Sequence, residues 1–303
     1  MRQSRWWRLA PWLCMLALAL LVVYAAVPRG PRYLYVIHKT GHPLVFGVIA
    51  WLLARELSRA PRPSSRALAA GVWALAGAVL IGGATELAQL PLQRGASWLD
   101  VGRDALGAAT ALALRAALLH RTGPRVAAAA LLLTCTLAPL FWCVAAYAHR
   151  AAQFPVIAQF RSPLDRYFIA PGTSLLALDV AQSALHVAPG ARGSVMYLDE
   201  PAADWRGYGA LEVQVENPND VTLRLMVRVH DERHTWQSAD RYNGEFDLAP
   251  HARQAVRIPL AVIATAPRGR RMDLARIAGV AVFVPAGPPL PFLLHALRLL
   301  PAA

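Results

Sequence analysis

Residues 125–148 read RVAAAALLLTCTLAPLFWCVAAYA, and this stretch separates two parts of the chain that differ in composition. An apolar run of this length can cross the roughly 30 Å hydrocarbon core of a bilayer as one helix. Before it, long apolar runs alternate with short basic links; beyond Arg150, short segments of alternating polarity begin. We therefore expect a transmembrane domain at 1–150 and a separate domain at 151–303.

The overall composition also indicates a membrane protein. Of the 303 residues, 56% are hydrophobic and 16% are charged, which is too apolar for an ordinary soluble domain. We predict about five spans, with weaker signals for the second and fourth because both contain polar residues. The predicted spans cover 9–27, 38–57, 67–90, 98–119 and 125–148.

Basic residues in the links predict the orientation of these spans. The net charge of +13 lies largely in the links, so membrane topology accounts for it better than nucleic-acid binding does. Basic links favour the cytoplasmic side, which puts the N-terminus inside and, with an odd number of spans, residues 151–303 outside. Two re-entrant segments in place of spans would preserve that odd count. We expect a multi-pass protein of the bacterial inner membrane with a periplasmic C-terminal domain.

The second half of the chain carries the pattern of half-buried strands. Apolar and polar residues alternate at 211–216, 223–230, 255–260, 280–284 and 293–300. Turn-forming residues separate these segments at 217–220 and at Asn243-Gly244. The three cysteines all lie in apolar runs of the first half, which argues against a disulfide framework. We predict an all-β, jelly-roll-like sandwich.

Ionisable residues at membrane depth are candidates for a functional site, because each costs several kcal/mol unless paired or hydrated. Seven such polar residues lie toward the outer ends of the second, third and fourth predicted spans, and we refer to them as the polar cluster. Its members are Lys39, His42, Glu86, Gln89, Arg94, Asp100 and Asp104.

Three interpretations of the polar cluster remain open. Its members could pair with one another and fix the helix register. They could bind a lipid or a lipid-linked glycan, or Glu86 could act as a general base in an intramembrane enzyme. The spacing of His38 and His42 places both on one helix face, but that arises too easily by chance to assign a metal. We assign no cofactor and no catalytic residue.

The spacing of the polar cluster resembles that of VanZ-like membrane proteins over residues 30–120. The matching pieces are His38-Lys39-x-x-His42, Thr85-Glu86-x-x-Gln89, Arg94 and Asp100-x-x-x-Asp104-x-x-Gly107. The family usually has Asp at the position of His38 and Asn at that of Asp104, so a role that needs those residues does not transfer. The resemblance implies a cell-envelope protein, since the founding member of the family is linked to teicoplanin resistance. It does not imply an established reaction.

The C-terminal half resembles galactose-binding-like domains and carbohydrate-binding modules. Such modules stack sugar rings on aromatic side chains and bind hydroxyls through amides, carboxylates and arginines. The candidate glycan-binding residues are Trp205, Trp236, Arg241, Tyr242 and Asn243. Trp205 and Trp236 could instead be core residues.

Three functions are compatible with these patterns. The first is a non-enzymatic envelope protein that binds a lipid or lipid-linked glycan in the bundle and a cell-wall glycan or a protein through the sandwich. The second is an intramembrane enzyme that acts on lipid headgroups. The third is a structural or assembly factor whose sandwich docks one partner protein.

Overall fold

The computed structural model describes residues 6–28, 30–59, 64–92, 95–170, 174–190, 193–285 and 288–302, without the side chains of 6, 7 and 64–68. The chain forms two compact units, Met1–Val144 and Ala145–Ala303. The first unit is helical and the second is built on two β-sheets.

Within the described residues, the first unit is formed by five helices, the last of which continues into the second unit. The helices are α1 (Trp6–Tyr24), α2 (Arg32–Leu57), α3 (Ser64–Gln89), α4 (Trp98–His120) and α5 (Gly123–Gln153). Helix α4 begins after Ser97, whose side chain accepts a hydrogen bond from the backbone N–H of Asp100. It ends at Arg121, which adopts a left-handed conformation with φ of 43°.

Helices α2 and α4 approach each other closely at two glycines. A Cβ added at Gly107 would lie 1.9 Å from the carbonyl oxygen of Pro43, so that position has room only for hydrogen. Gly47 faces the same contact, since its added Cβ would lie 3.1 Å from the Gly107 carbonyl oxygen. Small residues at such a crossing let two backbones pack directly.

Among the described residues, three helical segments are long and apolar enough to cross a membrane: Arg32–Leu57, Ala69–Leu92 and Gly123–Gln153. The first predicted span corresponds to a shorter apolar helix, Arg8–Tyr24. The fourth corresponds to α4, whose charged residues at 100, 103, 104 and 115 lower its hydropathy. Length and composition therefore support three of the five predicted spans.

The helical unit buries several polar side chains beside an apolar cluster and exposes many large apolar side chains. Glu86 and Asp104 are 3% and 1% exposed, whereas Leu80 and Trp98 are 74% and 88% exposed. A helical bundle in water rarely buries carboxylates or exposes so many large apolar side chains.

The second unit is a sandwich of two antiparallel sheets. The strands are β1 (Val156–Ala158), β2 (Leu175–Asp179), β3 (Ala184–Ala188), β4 (Val195–Asp199), β5 (Tyr208–Glu216), β6 (Leu223–Asp231), β7 (Tyr242–Leu248), β8 (Arg253–Pro259), β9 (Ile277–Phe283) and β10 (Phe292–Pro301). The larger sheet has the order β2-β3-β10-β5-β8, with β1 also paired to β10, and the smaller has the order β4-β9-β6-β7. From β3 to β10, consecutive strands alternate between the sheets except at the β6–β7 hairpin. A short helix, α6 (Leu260–Thr265), follows β8.

The core lies between the two sheets and follows the period-2 pattern of the strands. Leu211, Val213 and Val215 of β5 point into it, and Val227 and Val229 of β6 do so from the other sheet. The intervening residues of each strand therefore lie on the two outer faces of the sandwich.

One of the two predicted turns is present and the other is not. Asn217 forms an Asx turn, in which its side-chain oxygen accepts the backbone N–H of Asn219 at 3.0 Å. Asn243-Gly244 instead lies inside β7. Gly244 is required there because an added Cβ would lie 2.1 Å from the Tyr242 hydroxyl, so the glycine makes room for a ring rather than for a turn.

Candidate functional site

An ion-pair network links α2 and α4 within the polar cluster. The Lys39 ammonium donates to Asp100 Oδ2 at 2.5 Å, and the Arg103 guanidinium donates to Asp100 Oδ1 at 2.5 Å. Both carboxylate oxygens of Asp100 are therefore engaged by cations. The Lys39–Asp100 pair joins α2 to α4, and the Arg103–Asp100 pair lies within α4.

The other described members of the polar cluster, His42, Glu86, Gln89 and Asp104, are all buried. His42 Nδ1 lies 3.8 Å from Asp104 Oδ1, and Glu86 Oε2 accepts the backbone N–H of Ser97 at 2.8 Å. Glu86 Oε1 and both Asp104 carboxylate oxygens accept no hydrogen bond within the described part of the chain. Gln89 donates to the Val22 carbonyl at 3.3 Å.

Glu86 and Asp104 lie near one another, on facing helices. An added Cβ at Gly82, one turn before Glu86 on α3, would lie 3.2 Å from Asp104 Oδ2. Arg94, the remaining predicted member of the polar cluster, lies outside the described residues.

A second group of side chains lies on the outer face of the four-stranded sheet, and we call it the aromatic face. It comprises Tyr197, Arg228, His230, His234, Trp236, Arg241, Asn243 and Phe283.

Tyr197 and His230 form the centre of the aromatic face. Their rings stack with centroids 6.0 Å apart, and the Tyr197 hydroxyl lies 2.6 Å from His230 Nε2. His230 Nδ1 lies 3.2 Å from the Asp231 carbonyl oxygen, which can only accept, so Nδ1 carries the proton and Nε2 accepts from the phenol.

The acid–base properties of this pair agree with that assignment. Burial raises the pKa of Tyr197 to about 12, so the phenol keeps its proton. Burial also lowers the pKa of His230, so its ring is neutral near pH 7.

Both side chains lie over Gly279 of β9. An added Cβ there would lie 2.4 Å from His230 Nε2 and 2.4 Å from the Tyr197 hydroxyl. The glycine therefore provides the space in which the two rings meet.

The segment between β6 and β7 adds two further rings to the aromatic face. His234 lies with its ring centroid 4.8 Å from that of His230 and 5.2 Å from that of Trp236. Trp236 is 75% exposed and has a left-handed backbone with φ of 68°. The indole is therefore presented to solvent beside two histidine rings.

Arg270 fixes this segment by bridging both of its ends. It donates two hydrogen bonds to the Asp231 carboxylate, at 2.6 and 2.8 Å, and one to Asp240. Asp240 in turn accepts from the backbone N–H and the hydroxyl of Thr235 at 2.8 and 2.9 Å. These hydrogen bonds hold the pKa of Asp240 down to about 2, and the Arg270 hydrogen bonds lower that of Asp231 despite its burial.

Polar donors and acceptors border the rings. Arg228 lies over the Phe283 ring, 4.7 Å from its centroid, and donates to the Asn243 side-chain oxygen at 3.2 Å. Arg241 lies beside them, and its Nε makes no hydrogen bond within the described chain. The aromatic face thus combines stacking surfaces with guanidinium and amide groups.

Two of the predicted glycan-binding residues lie in the interior. Trp205 is fully buried, and its indole N–H donates to the Ala202 carbonyl at 2.8 Å. Tyr242 is 8% exposed and packs in the core. Neither ring has a face open to a sugar, whereas Trp236, Arg241 and Asn243 all belong to the aromatic face.

Sequence reasoning did not select Tyr197, Arg228 or the histidines of the aromatic face as site residues. The alternation in β6 already puts Arg228 and His230 on the side away from the core, which is the signal that could have identified them. Among the described residues, no group of three or more His, Cys, Asp or Glu side chains could hold a metal ion.

Comparisons with known proteins assign no family. No family model matches the chain, and no curated protein matches it. Among solved structures, the chain is similar to the agarase AgWH50C, with 13% identity over 49% of this chain and 26% of that chain, and a TM-score of 0.38. The chain spans about a quarter of the length of the agarase structures that it matches.

The chain is also similar to two isolated carbohydrate-binding modules. One is CBM29_1 of Piromyces equi, with 12% identity, coverage of 43% of this chain and 77% of that chain, and a TM-score of 0.30. The other is a family 11 module from Clostridium thermocellum, with 12% identity, coverage of 39% and 69%, and a TM-score of 0.28. Because these similarities are low, we describe the fold of the second unit from its own two sheets.

Proposed function

We propose that the protein is a non-enzymatic, membrane-anchored glycan-binding protein of the bacterial cell envelope, with the aromatic face as its glycan site. The observation that carries the proposal is the exposed indole of Trp236, held beside His234 and His230 by the Arg270 bridge. An exposed aromatic ring on a braced segment offers a sugar a stacking surface that needs little ordering on binding.

The groups around the rings suit sugar hydroxyls. Arg228, Arg241 and Asn243 supply planar donors and an amide at the border of the stacking surface. The sheets wind in the order of a jelly roll, which we infer from the alternation of strands between them. A protein partner docking on the same face is the alternative, as in an assembly factor.

A glycan array probed with the full chain in detergent tests this proposal. We expect wild-type protein to bind one class of envelope glycan, and the Trp236→Ala variant to lose up to about tenfold in affinity, since stacking on one ring is worth about 0.5–1.5 kcal/mol and 1.4 kcal/mol corresponds to tenfold. Leu175→Ala is the matched control, because Leu175 is 70% exposed on the other sheet. Equal binding by wild type and the Trp236 variant would overturn the proposal.

The membrane anchor is supported by the helical unit. Its buried carboxylates and exposed large apolar side chains fit a lipid environment rather than water. We extend the three apolar segments to the five predicted spans, with α1 and α4 completing the bundle, the N-terminus in the cytoplasm and the sandwich in the periplasm.

The polar cluster favours a second candidate function, the binding of a lipid or lipid-linked glycan headgroup. Glu86 Oε1 and the Asp104 oxygens are buried acceptors without donors in the described chain, and sugar hydroxyls could supply those donors. The VanZ-like spacing of these residues points to the same envelope context.

Native mass spectrometry of the detergent-solubilised protein with added lipid-linked glycan precursor tests the headgroup site. Glu86→Gln and Asp104→Asn should weaken retention of the precursor, whereas Arg103→Gln should not, because the Lys39 pairing of Asp100 remains. Retention that is equal in all variants would leave the cluster as a structural network. An intramembrane enzyme is the remaining alternative, and full cellular function of a folded Glu86→Ala variant would exclude it.

A further inference from the structure

A separate pocket lies on the outer face of the six-stranded sheet, on the opposite side of the sandwich from the aromatic face. Its volume is about 130 Å³, and it lies where β1, β5, β8 and β10 come together. Its polar lining consists of Gln159, Arg161, Ser183, Gln214, Arg253, His295 and Arg298.

The pocket carries an excess of positive charge. Arg298 donates to Glu212 Oε1 at 2.8 Å, and Arg257 donates to Glu212 Oε2 at 3.0 Å, so that carboxylate is fully engaged. The side chains of Arg161 and Arg253 form no ion pair with the described residues. Two guanidinium groups therefore remain available to an anion that enters the pocket.

His295 adds a buried polar atom that is also available. The residue is 5% exposed, and its Nε2 lies 2.8 Å from Glu216 Oε2. Its Nδ1 is buried and makes no hydrogen bond within the described chain. A buried ring nitrogen without a partner costs free energy that a ligand could recover.

His295 lies at a β-bulge in β10, beside the pocket. Leu294 pairs with Val215 and Ala296 pairs with Gln214, which leaves His295 as the extra residue of a bulge. A bulge re-aims the side chain at its extra residue, and bulges are common beside binding sites. The sheet thus departs from regular pairing at the residue that has the unpartnered nitrogen.

We infer that this pocket binds an anionic group of phosphate or sulfate size. Arginine forks match the oxygens of such tetrahedral anions, and His295 Nδ1 adds a buried polar atom that no described group of the protein engages. The pocket is large enough for the anionic group and part of the molecule that bears it. This site is independent of the proposed glycan site, because the two lie on different sheets.

Calorimetric titration of the full chain in detergent tests the inference with four probes: inorganic phosphate, inorganic sulfate, a hexose 6-phosphate, and a short-chain phosphatidylglycerol dissolved in the same detergent. We expect saturable binding that weakens at least tenfold in Arg253→Gln and in Arg161→Gln. Stronger binding of the hexose phosphate would identify a soluble or glycan-borne ligand, and stronger binding of the phosphatidylglycerol a lipid headgroup.

Two controls keep the outcome specific. Arg224→Gln removes an exposed arginine of the other sheet that is already paired with Asp247, so it should leave binding unchanged. Trp236→Ala should also leave it unchanged, which separates this site from the glycan site. The inference is overturned if none of the four probes binds saturably, or if the Arg161→Gln, Arg253→Gln double variant binds them as tightly as wild type.

Discussion

Gly279 is the residue on which the geometry of the aromatic face depends. Its missing side chain leaves the space in which the Tyr197 hydroxyl meets His230 Nε2. Gly244 has a similar role on the core side, where it makes room for the Tyr242 ring. In both cases glycine serves close packing in a strand rather than a turn.

Gly279→Ala should therefore disrupt the aromatic face. We expect a loss of about 1–3 kcal/mol in the free energy of unfolding, because the new methyl group must displace both rings, and a matching loss of glycan affinity. Denaturant unfolding and glycan titration measure the two effects. Gly71→Ala in α3 is the control, since nothing lies within 4 Å of its added Cβ. Wild-type stability in Gly279→Ala would contradict this account.

Asp231 is the residue whose loss should destabilise the sandwich most through charge. Its side chain is fully buried and accepts two hydrogen bonds from Arg270, which also pairs with Asp240, so Asp231→Asn should cost about 1–3 kcal/mol by removing the charge from one of the two pairs. Asp247→Asn, which removes an exposed pair with Arg224, should cost under about 1 kcal/mol.

The pH dependence of that difference follows from the lowered pKa of Asp231. The stabilisation is fully present above the unfolded pKa of about 3.9 and is lost as the pH falls through the lower folded pKa. Urea unfolding at pH 7 and pH 3 should therefore show the gap between wild type and Asp231→Asn narrowing in acid. A gap that stays constant would count against the ion pair.

At the scale of elements, the segment between β6 and β7 depends on neutral histidines. Burial lowers the pKa of His230 and of His234. The unfolded chain therefore takes up protons first, and stability is lost as the pH falls below the unfolded pKa of about 6.5.

We expect the melting temperature of the sandwich to fall between pH 7 and pH 5 and the His230→Gln variant to show a smaller fall. His251→Asn, which changes an exposed histidine paired with Asp220, should keep the wild-type profile. Scanning calorimetry of the full chain at several pH values measures the effect. Identical profiles for wild type and His230→Gln would rule out a part for His230.

Helices α2 and α4 pack so closely that their contact has no room for an added methyl group. Gly107→Ala would place a methyl group 1.9 Å from the Pro43 carbonyl oxygen, and a backbone atom cannot move aside as a side chain can. We expect a loss of more than about 2 kcal/mol, seen as a lower melting temperature or loss of folded protein in detergent. Gly102→Ala on the same helix has open space and should leave stability unchanged or raise it by up to about 1 kcal/mol, since alanine favours the helix. Equal stability of the two variants would refute the close contact.

At the scale of the whole molecule, the helical unit and the sandwich differ most in what they expose. Both units bury an apolar cluster together with a few carboxylates, but the helical unit also exposes many leucines and several tryptophans, whereas the sandwich exposes few large apolar side chains. This contrast supports our proposal of a membrane-embedded first unit and a second unit in an aqueous compartment.

Reporter fusions test the proposed orientation. Alkaline phosphatase fused to the C-terminus should be active in a bacterial host, because it folds only outside the cytoplasm, whereas a fusion after Arg59 should be inactive. Green fluorescent protein at the same two positions should give the reverse pattern. An inactive C-terminal phosphatase fusion would overturn the odd number of spans.

Much of the architecture could be predicted from local pattern. Period-2 alternation located the strands that became β5, β6, β8, β9 and β10, because one face of each strand is apolar. Polar residues in apolar runs indicated Lys39 and Asp100, which the structure joins. The prediction of a turn at Asn243-Gly244 was wrong because the same dipeptide occurs both in turns and in closely packed strands. Here the Tyr242 ring occupies the space beside Gly244, within β7, and the sequence pattern does not reveal that contact.

The sequence by itself determined the division into an apolar helical half and an alternating β half, since both follow from the spacing of apolar residues along the chain. Only the tertiary structure decided which aromatic residues could bind a ligand. Trp205 and Trp236 are the same residue type in similar polar segments, yet packing buries Trp205, whereas Trp236 is exposed on a segment whose two ends Arg270 bridges. Likewise, the anion pocket depends on strands distant in sequence, so no local pattern could reveal it.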